Sequence, residues 1–393
     1  MNYFYKIKDG GKVAVDDMIL VKDSPASAGS KMLEGFKPLF SAEAVTRLEE
    51  KGYEISGKTH VGEFGLDLVG EFSNYNTQSG TLKGALAEGV ASGEVKFGLG
   101  VDMNGAPRRS AAISGISFLK PTYGTVSRYG IISCAASGEQ LGVYASSASD
   151  ISEIMSVIAG HDSKDGTSLP DEKYDYSFEK DTSEMKVCLI KELYDMADEN
   201  VKKEIDSYIA SLKVKGVQVD EISSSIFETA NIAWQILMCA ETCNNVSRYD
   251  GVKYGHRAKE YRNIDELYVN SRTEGFNFLT KAVILYGSDC LSKAKYKDLY
   301  DKSLRVRRVV KEAVEKILSS YDAIITPVCK KTSYESYDIK DAFEKVYAES
   351  IFTSVANLTG IPALSDGKVN ILGKHFDEST LLSLSYCVER KGE

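Results

Sequence analysis

The residues best suited to chemistry in this chain of 393 residues lie in the glycine-rich stretch 98–130. Its central segment reads Asp102-Met103-Asn104-Gly105-Ala106-Pro107-Arg108. Backbone N–H groups in such a turn can stabilise a developing negative charge, so Met103, Asn104 and Gly105 are candidate substrate-binding donors. Ala106 follows them and offers no nucleophile. The segment therefore has donors that acyl-transfer chemistry needs, without a reacting group at that position.

Side chains that ligate metals are few and scattered. The 4 histidines have no ligand spacing to one another or to a cysteine, so we expect no metal site. The 7 cysteines include no Cys-x-x-Cys pair, which is typical of reduced thiols in a cytoplasmic protein. Neither pattern predicts a cofactor.

Composition limits the class of protein further. Hydrophobic residues make up 43% of the chain and charged residues 27%, as in ordinary soluble globular proteins. No stretch approaches the roughly 18 apolar residues of a membrane-spanning helix, and the start of the chain shows no signal peptide. The net charge of −9 gives no overall attraction for nucleic acid, so any such contact needs a partner or a local basic patch.

Strands and helices alternate in the first 224 residues, which predicts an α/β layered fold. Short apolar runs predict strands at 18–21, 53–56, 186–190, 217–222 and 321–327. Helical spacing and capping signals predict helices at 41–51, 149–160 and 201–212. Residues 225–320 are almost wholly helical in pattern. We therefore predict a single domain, 1–393, in which 1–224 and 321–393 form the sheet core and 225–320 form a helical layer.

The segment Leu119–Gly130 reads Leu-Lys-Pro-Thr-Tyr-Gly-Thr-Val-Ser-Arg-Tyr-Gly and closely resembles the core of the amidase signature family. Further matches cover nearly the whole chain, at 58–64, 158–169, 248–255, 271–276, 357–362 and 373–378. Those at 248–255 and 271–276 are typical of the branch formed by the A subunits of the tRNA-dependent amidotransferases. The resemblance implies the amidase-signature fold, a central mixed β-sheet covered by helices on both faces.

The resemblance also implies a Ser–Ser–Lys triad, in which a buried neutral lysine takes a proton from a bridging serine, which deprotonates the nucleophilic serine. The lysine position falls on Lys22, at the end of the strand predicted at 18–21. The serine positions fall on Leu82 and Ala106, which have no hydroxyl. Arg307 matches the arginine that holds the substrate carboxylate, a task that suits a bidentate guanidinium. A solvated helix arginine is the alternative for Arg307.

We therefore predict a degenerate A-subunit-like protein without amidase chemistry. Two alternatives stay open: a working amidotransferase subunit or amidase with its nucleophile relocated to Ser79, Ser110 or Ser114, and a ligand-binding or regulatory protein on the same fold. The resemblance implies B-subunit-like and C-subunit-like partners, with tRNA contacted only through them. Compared with the family, the N-terminal helical region before Lys22 is expected to be missing. The chain is also shorter between 362 and 371, where the family's strand is predicted to be lost.

Overall fold

The computed structural model describes residues 3–170 and 174–389. Its strands are β1 (Tyr3–Lys6), β2 (Val13–Asp16), β3 (Ile55–Thr59), β4 (Phe97–Asp102), β5 (Ser117–Lys120), β6 (Gln140–Ala145), β7 (Lys186–Ile190), β8 (Gln218–Ile222), β9 (Ala323–Pro327), β10 (Ala363–Asp366) and β11 (Val369–Gly373). They form one eleven-stranded sheet in the order β1-β3-β2-β4-β6-β5-β10-β11-β9-β7-β8.

The helices pack on this sheet and on one another. They are α1 (Glu43–Glu50), α2 (Ala85–Ala91), α3 (Ala106–Ser114), α4 (Ala148–Ile158), α5 (Lys191–Met196), α6 (Glu199–Val214), α7 (Ile226–Asn245), α8 (Ile264–Gly275), α9 (Phe278–Cys290), α10 (Lys302–Leu318), α11 (Ala342–Ser350), α12 (Ser354–Thr359) and α13 (Glu378–Glu389).

The sheet is mixed, as the resemblance implied. Strand β2 is parallel to β3 and β4, the middle strands from β4 to β9 pair antiparallel, and β9, β7 and β8 are parallel again. Every residue of β2, β4 and β6 is buried, because helices or loops cover both faces of the sheet there. These strands therefore appear in the sequence as continuous runs without a polar face.

Most predicted elements are present with small shifts. The strand predicted at 186–190 matches β7, the helix predicted at 201–212 lies inside α6, and residues 225–320 contain helices α7 to α10. Helix starts were less accurate. Ser41 does not cap α1 but accepts a hydrogen bond from the Lys22 backbone N–H, and Ser147 rather than Ser149 caps α4.

Two strand predictions were wrong. Residues 18–21 form no strand: the chain turns after β2, with Ile19 N–H bonded to Asp16 O, and Ile19 makes an isolated bridge to Ile131. Packing in a turn buries this apolar run. The strand predicted to be lost within 362–371 is present as β10, which pairs with β5 and β11. The connection to β11 needs two residues, and Gly367 at φ +55° allows that turn.

The helical layer is tied to the sheet core through the buried carboxylate of Glu63. Its Oε2 accepts hydrogen bonds from Asn277 N at 2.8 Å and Thr280 Oγ1 at 2.5 Å, at the start of α9, and its Oε1 accepts one from Asn74 Nδ2 at 2.8 Å. Burial raises the pKa of Glu63 to about 7, although these hydrogen bonds favour the charged form. Ionisation of Glu63 in the folded protein therefore costs free energy.

We expect Glu63→Gln to flatten the pH dependence of stability. Because the folded-state pKa lies above the ordinary 4.5, the contribution of Glu63 is full below pH 4.5 and is lost as pH rises through 7. The wild type should lose up to about 3 kcal/mol across this window, and the variant should not. The free energy of unfolding, measured by denaturant titration at pH 5 and pH 8, tests this. An equal change between the two pH values in both proteins would contradict it.

Candidate active site

The turn at 102–106 connects the buried strand β4 to helix α3 and places Ala106 at the helix N-terminus. Gly105 caps the helix at φ 84°, a backbone conformation that favours glycine. A Cβ at residue 105 would also lie 2.4 Å from the Thr353 side chain, so the close approach requires glycine. Ala106 is the first residue of α3, where the helix N–H groups and dipole favour negative charge. The geometry is thus that of an anion-stabilising turn.

A buried ion pair fixes this turn. Asp102 Oδ2 accepts a hydrogen bond from Arg108 Nε at 2.7 Å, and both side chains are fully inaccessible to solvent. Asp102 Oδ1 also accepts Gly105 N–H at 2.9 Å and Asn357 Nδ2 at 3.0 Å. Burial alone raises the pKa of Asp102, but the Arg108 charge and these hydrogen bonds outweigh it and lower that pKa. The turn is therefore held by an ionised carboxylate at every ordinary pH.

The predicted donors Met103, Asn104 and Gly105 come together in the turn, and the N–H of Gly105 and other polar groups of these residues are engaged within the protein. Gly105 N–H is bonded to Asp102. The Asn104 side chain donates to Ser350 Oγ at 2.8 Å and accepts from Gln235 Nε2 at 3.3 Å, and Met103 O accepts from Trp234 Nε1 at 3.1 Å. These contacts fill the space beside the turn with side chains of α7 and α11.

A small cavity remains beside Ala106, with a volume of about 40 Å³. Its lining includes Asp16, Asp67, Ser110 and Tyr144. Ser110 Oγ donates to Pro107 O at 2.9 Å and lies 2.8 Å from Tyr144 Oη. Burial raises the pKa of Tyr144 far above its usual range, so this phenol stays neutral and is no proton acceptor. The cavity thus contains a serine, without a base that contacts it.

The position of Lys22 requires a correction. Lys22 lies in an exposed turn and does not line the Ala106 cavity, so it lacks the burial that a neutral lysine base requires. The buried strand that reaches the cavity is β2, and it ends at Asp16. Asp16 accepts hydrogen bonds from Met18 N at 2.8 Å and Val101 N at 2.7 Å, and burial raises its pKa to about 6.

Leu82 and Arg307, the other two predicted positions, are not among the residues that line this cavity. Leu82 is buried in an apolar cluster with Leu68 and Tyr334, and its N–H bonds Tyr334 O at 2.8 Å. Arg307 donates to Ser137 Oγ at 3.0 Å and to Ser137 O at 2.7 Å, so its guanidinium ties α10 to a loop. Burial lowers the pKa of Arg307, and its contacts are within the protein. Arg307 is therefore partly buried and not simply solvated, and its assignment to a substrate carboxylate stays a prediction.

Buried polar residues near the site that were not predicted from the sequence include Asp67 and Tyr144 in the cavity wall, and Asp16, the adjacent Asp17 and Lys58 on β3. The Lys58 ammonium lies 2.9 Å from Asp17 Oδ1 and donates to Pro25 O at 2.9 Å. Burial lowers the pKa of Lys58, and Asp17 opposes this. The sequence did contain an indication of Asp16 and Asp17. Two adjacent acidic residues directly follow the apolar run 13–15, and a strand end in solvent does not require an acidic pair.

Within residues 3–170 and 174–389, no three His, Cys, Asp or Glu side chains are grouped to hold a metal ion. No helix in these ranges is long and apolar enough to cross a membrane.

The eleven-stranded mixed sheet and the helix N-terminus at the 102–106 turn define an amidase-type α/β protein. The chain belongs to the amidase family, whose model matches residues 10–381. It is similar to the A subunit of glutamyl-tRNA(Gln) amidotransferase from a Sulfurihydrogenibium species, with 35% identity over 96% of this chain and 82% of the relative. The same protein from Halothermothrix orenii is 34% identical, over 99% of this chain and 87% of the relative.

A solved structure supports the same relationship. The A subunit of glutamyl-tRNA(Gln) amidotransferase from Thermotoga maritima superposes with a TM-score of 0.80 at 27% identity, over 100% of this chain and 86% of that structure. The peptide amidase of Stenotrophomonas maltophilia, 20% identical with a TM-score of 0.77, shares the fold. This protein is thus similar to these amidotransferase subunits over nearly its whole length.

Proposed function

We propose that this protein is an A-subunit-like member of the amidase family that has lost amidase chemistry. The observation that carries the proposal is Ala106 at the N-terminus of α3, where the family mechanism needs a serine hydroxyl. Leu82, assigned to the bridging serine, is an apolar core residue. At the end of the buried strand stands Asp16, which has no amine and a shorter side chain than the lysine that the family mechanism uses. All three parts of the triad are then missing together.

The size of the cavity supports the same proposal. Pockets that hold small organic ligands usually measure about 300–1,000 Å³. The cavity beside Ala106 has about 40 Å³, room for a few water molecules. Because the Asn104 side chain is bonded to Ser350 and Gln235, it would have to move before an amide could approach the turn.

A relocated nucleophile is the second candidate, and Ser110 is the serine that favours it, because it lines the cavity with Asp16. Its hydroxyl, however, bonds a main-chain carbonyl and a neutral tyrosine, and neither of these groups is a base that could take its proton. Ser79 is exposed, and Ser114 ends α3, where the dipole opposes an alkoxide. We therefore favour the inactive form.

The same proposal includes protein partners of the B-subunit and C-subunit type. The relatives that this chain matches are named as subunits. On α8 and α9 several apolar side chains are exposed, among them Val269 at 62% and Leu285 at 72%. Exposed apolar side chains on neighbouring helices suit a protein interface. Co-purification from the native cell tests this: a stoichiometric complex supports it, and a lone monomer contradicts it.

We expect Ala106→Ser alone to leave glutamine hydrolysis at background. The new hydroxyl would lie at the helix N-terminus. However, Leu82 has no hydroxyl to relay its proton, and Asp16 stands where the family mechanism needs a lysine to accept it. Ammonia release from glutamine measures the rate, with Ala111→Ser as the matched control in the same helix. Turnover comparable to that of an active amidase would contradict our assignment of Leu82 and Asp16.

A further inference from the structure

A surface pocket lies between residues 31–37 and the segment 248–262, with Leu20 and residues 131–133 also in its lining. Its volume is about 590 Å³, and we name it the tyrosine pocket for Tyr249 and Tyr254 in its wall. The two segments are in direct contact, because His256 N–H bonds Met32 O at 3.1 Å. Leu33 and Phe36 form the opposite wall. The tyrosine pocket shares no lining residue with the cavity beside Ala106.

Arg248 lines this pocket, and further basic residues are frequent in the two segments that form it, in an otherwise acidic chain. Segment 248–262 contains five Lys or Arg residues and two Asp or Glu residues, whereas the whole chain has a net charge of −9. Of the basic side chains in this segment, Arg262 pairs with Glu266 and His256 with Glu274. The remaining cations make no ion pair within the described residues and are exposed: Arg248, Lys253, Arg257 and Lys259. From the facing segment, Lys37 adds an exposed cation and Lys31 a partly buried one.

Exposed aromatic rings alternate with these cations. Tyr254 is 48% exposed, Tyr261 43% and Phe36 41%, although burial of such rings would be favourable. Tyr249 forms the wall, with its ring stacked on Phe64 at a centroid distance of 5.7 Å and an interplanar angle of 11°. Tyr254 meets Tyr249 edge-on at 6.3 Å. Tyr249 is therefore a fixed ring, and Tyr254 presents itself to solvent beside it.

We propose that the tyrosine pocket and its basic rim bind single-stranded nucleic acid. Unpaired cations along a groove follow the phosphates, and exposed aromatic rings stack with bases, which is the combination that single-strand binding uses. Segments 31–37 and 248–262 contain three acids, Glu34, Asp250 and Glu260, against six cations outside the Arg262–Glu266 pair, so the rim stays positive. The local positive charge can therefore attract the phosphates of a nucleic acid, although the net charge of the whole chain is negative.

This proposal does not rest on the loss of amidase chemistry. It replaces the expectation that nucleic acid is contacted only through partner subunits, and it is tested on the isolated chain. Failure of the nucleic-acid experiment would leave the catalytic proposal unchanged, and amidase activity would leave the binding surface unchanged.

The test is fluorescence anisotropy with a labelled 12-nucleotide single-stranded RNA and the purified full chain. We expect saturable binding at 50 mM salt that weakens with salt at a log–log slope of about −2 to −3, for three to four phosphate contacts. Lys253→Glu with Lys259→Glu should weaken binding at least tenfold and make the slope shallower. Tyr254→Ala should weaken it at least fivefold without changing the slope, since stacking is uncharged.

The matched control is Lys203→Glu with Lys213→Glu, which makes the same charge change at exposed positions on α6. It should change affinity less than twofold. The proposal is overturned by an absence of binding at 50 mM salt, by an equal loss in the α6 control, or by full affinity in Tyr254→Ala. Displacement of the RNA by uridine monophosphate at equal concentration would also overturn it, because the site would then hold a mononucleotide. Circular dichroism melting of each variant confirms that it is folded.

Discussion

Purified protein is expected to hydrolyse neither glutamine nor simple primary amides above the rate of a buffer blank. Removal of the nucleophile from a serine-based catalytic unit lowers turnover by about 10⁶, and loss of further members adds little. With alanine at 106, leucine at 82 and aspartate at 16, only the anion-stabilising turn would remain. Its donors are partly engaged, since Gly105 N–H is bonded to Asp102. Ammonia release measured over hours at micromolar protein gives the required sensitivity.

The control for this experiment is an active amidase of the same fold, such as the peptide amidase of Stenotrophomonas maltophilia, assayed beside it on a peptide amide. Activity of this protein that disappears in Ser110→Ala would show a relocated nucleophile and refute the proposal. Activity that persists in Ser110→Ala, Ser79→Ala and Ser114→Ala would point to a contaminating enzyme.

The largest stability effect is expected at Asp102. Asp102→Asn keeps the size of the side chain but leaves the fully buried Arg108 guanidinium without a countercharge. Removal of one partner from a buried ion pair typically costs about 3–5 kcal/mol. The loss should exceed that at most single sites, because Gly105 and Asn357 also depend on this carboxylate. The free energy of unfolding from denaturant titration at pH 7 measures the effect.

Asp301→Asn is the matched control, since Asp301 pairs with Arg305 at 2.8 Å on an exposed face of α10. Exposed pairs contribute little to stability, so this variant should unfold at nearly the wild-type denaturant concentration. If Asp102→Asn unfolds at the same denaturant concentration as Asp301→Asn, the Asp102–Arg108 pair does not hold the turn.

The fold could be predicted from the sequence where apolar periodicity and motifs agree. Strand β7 and helix α6 are examples, since each has a clear apolar pattern with turn residues at its ends. The run at 18–21 was wrongly predicted to be a strand because apolar residues buried in a turn have the same pattern as those of a buried strand. Only the backbone hydrogen bonds to neighbouring strands distinguish a strand from such a turn. In the structure β2 ends at Asp16, two residues before this run begins.

The same shift explains the error at Lys22. A lysine directly after an apolar run looks like a residue at the end of a buried strand, and the acid that follows strengthens the impression. In the structure the strand ends instead at Asp16, so Asp16 and the adjacent Asp17 are buried there while Lys22 is exposed. The contacts of Arg307 with Ser137 could not be predicted either, because they join residues 170 positions apart.

The central claim is that no activated serine stands in the family's catalytic position. It is tested most directly by incubating the protein with a serine-reactive fluorophosphonate and measuring its intact mass. We predict no adduct on the wild type, while the active peptide amidase treated in parallel is labelled. A stoichiometric adduct on this protein, mapped by peptide mass to Ser110, Ser79 or Ser114, would contradict the account.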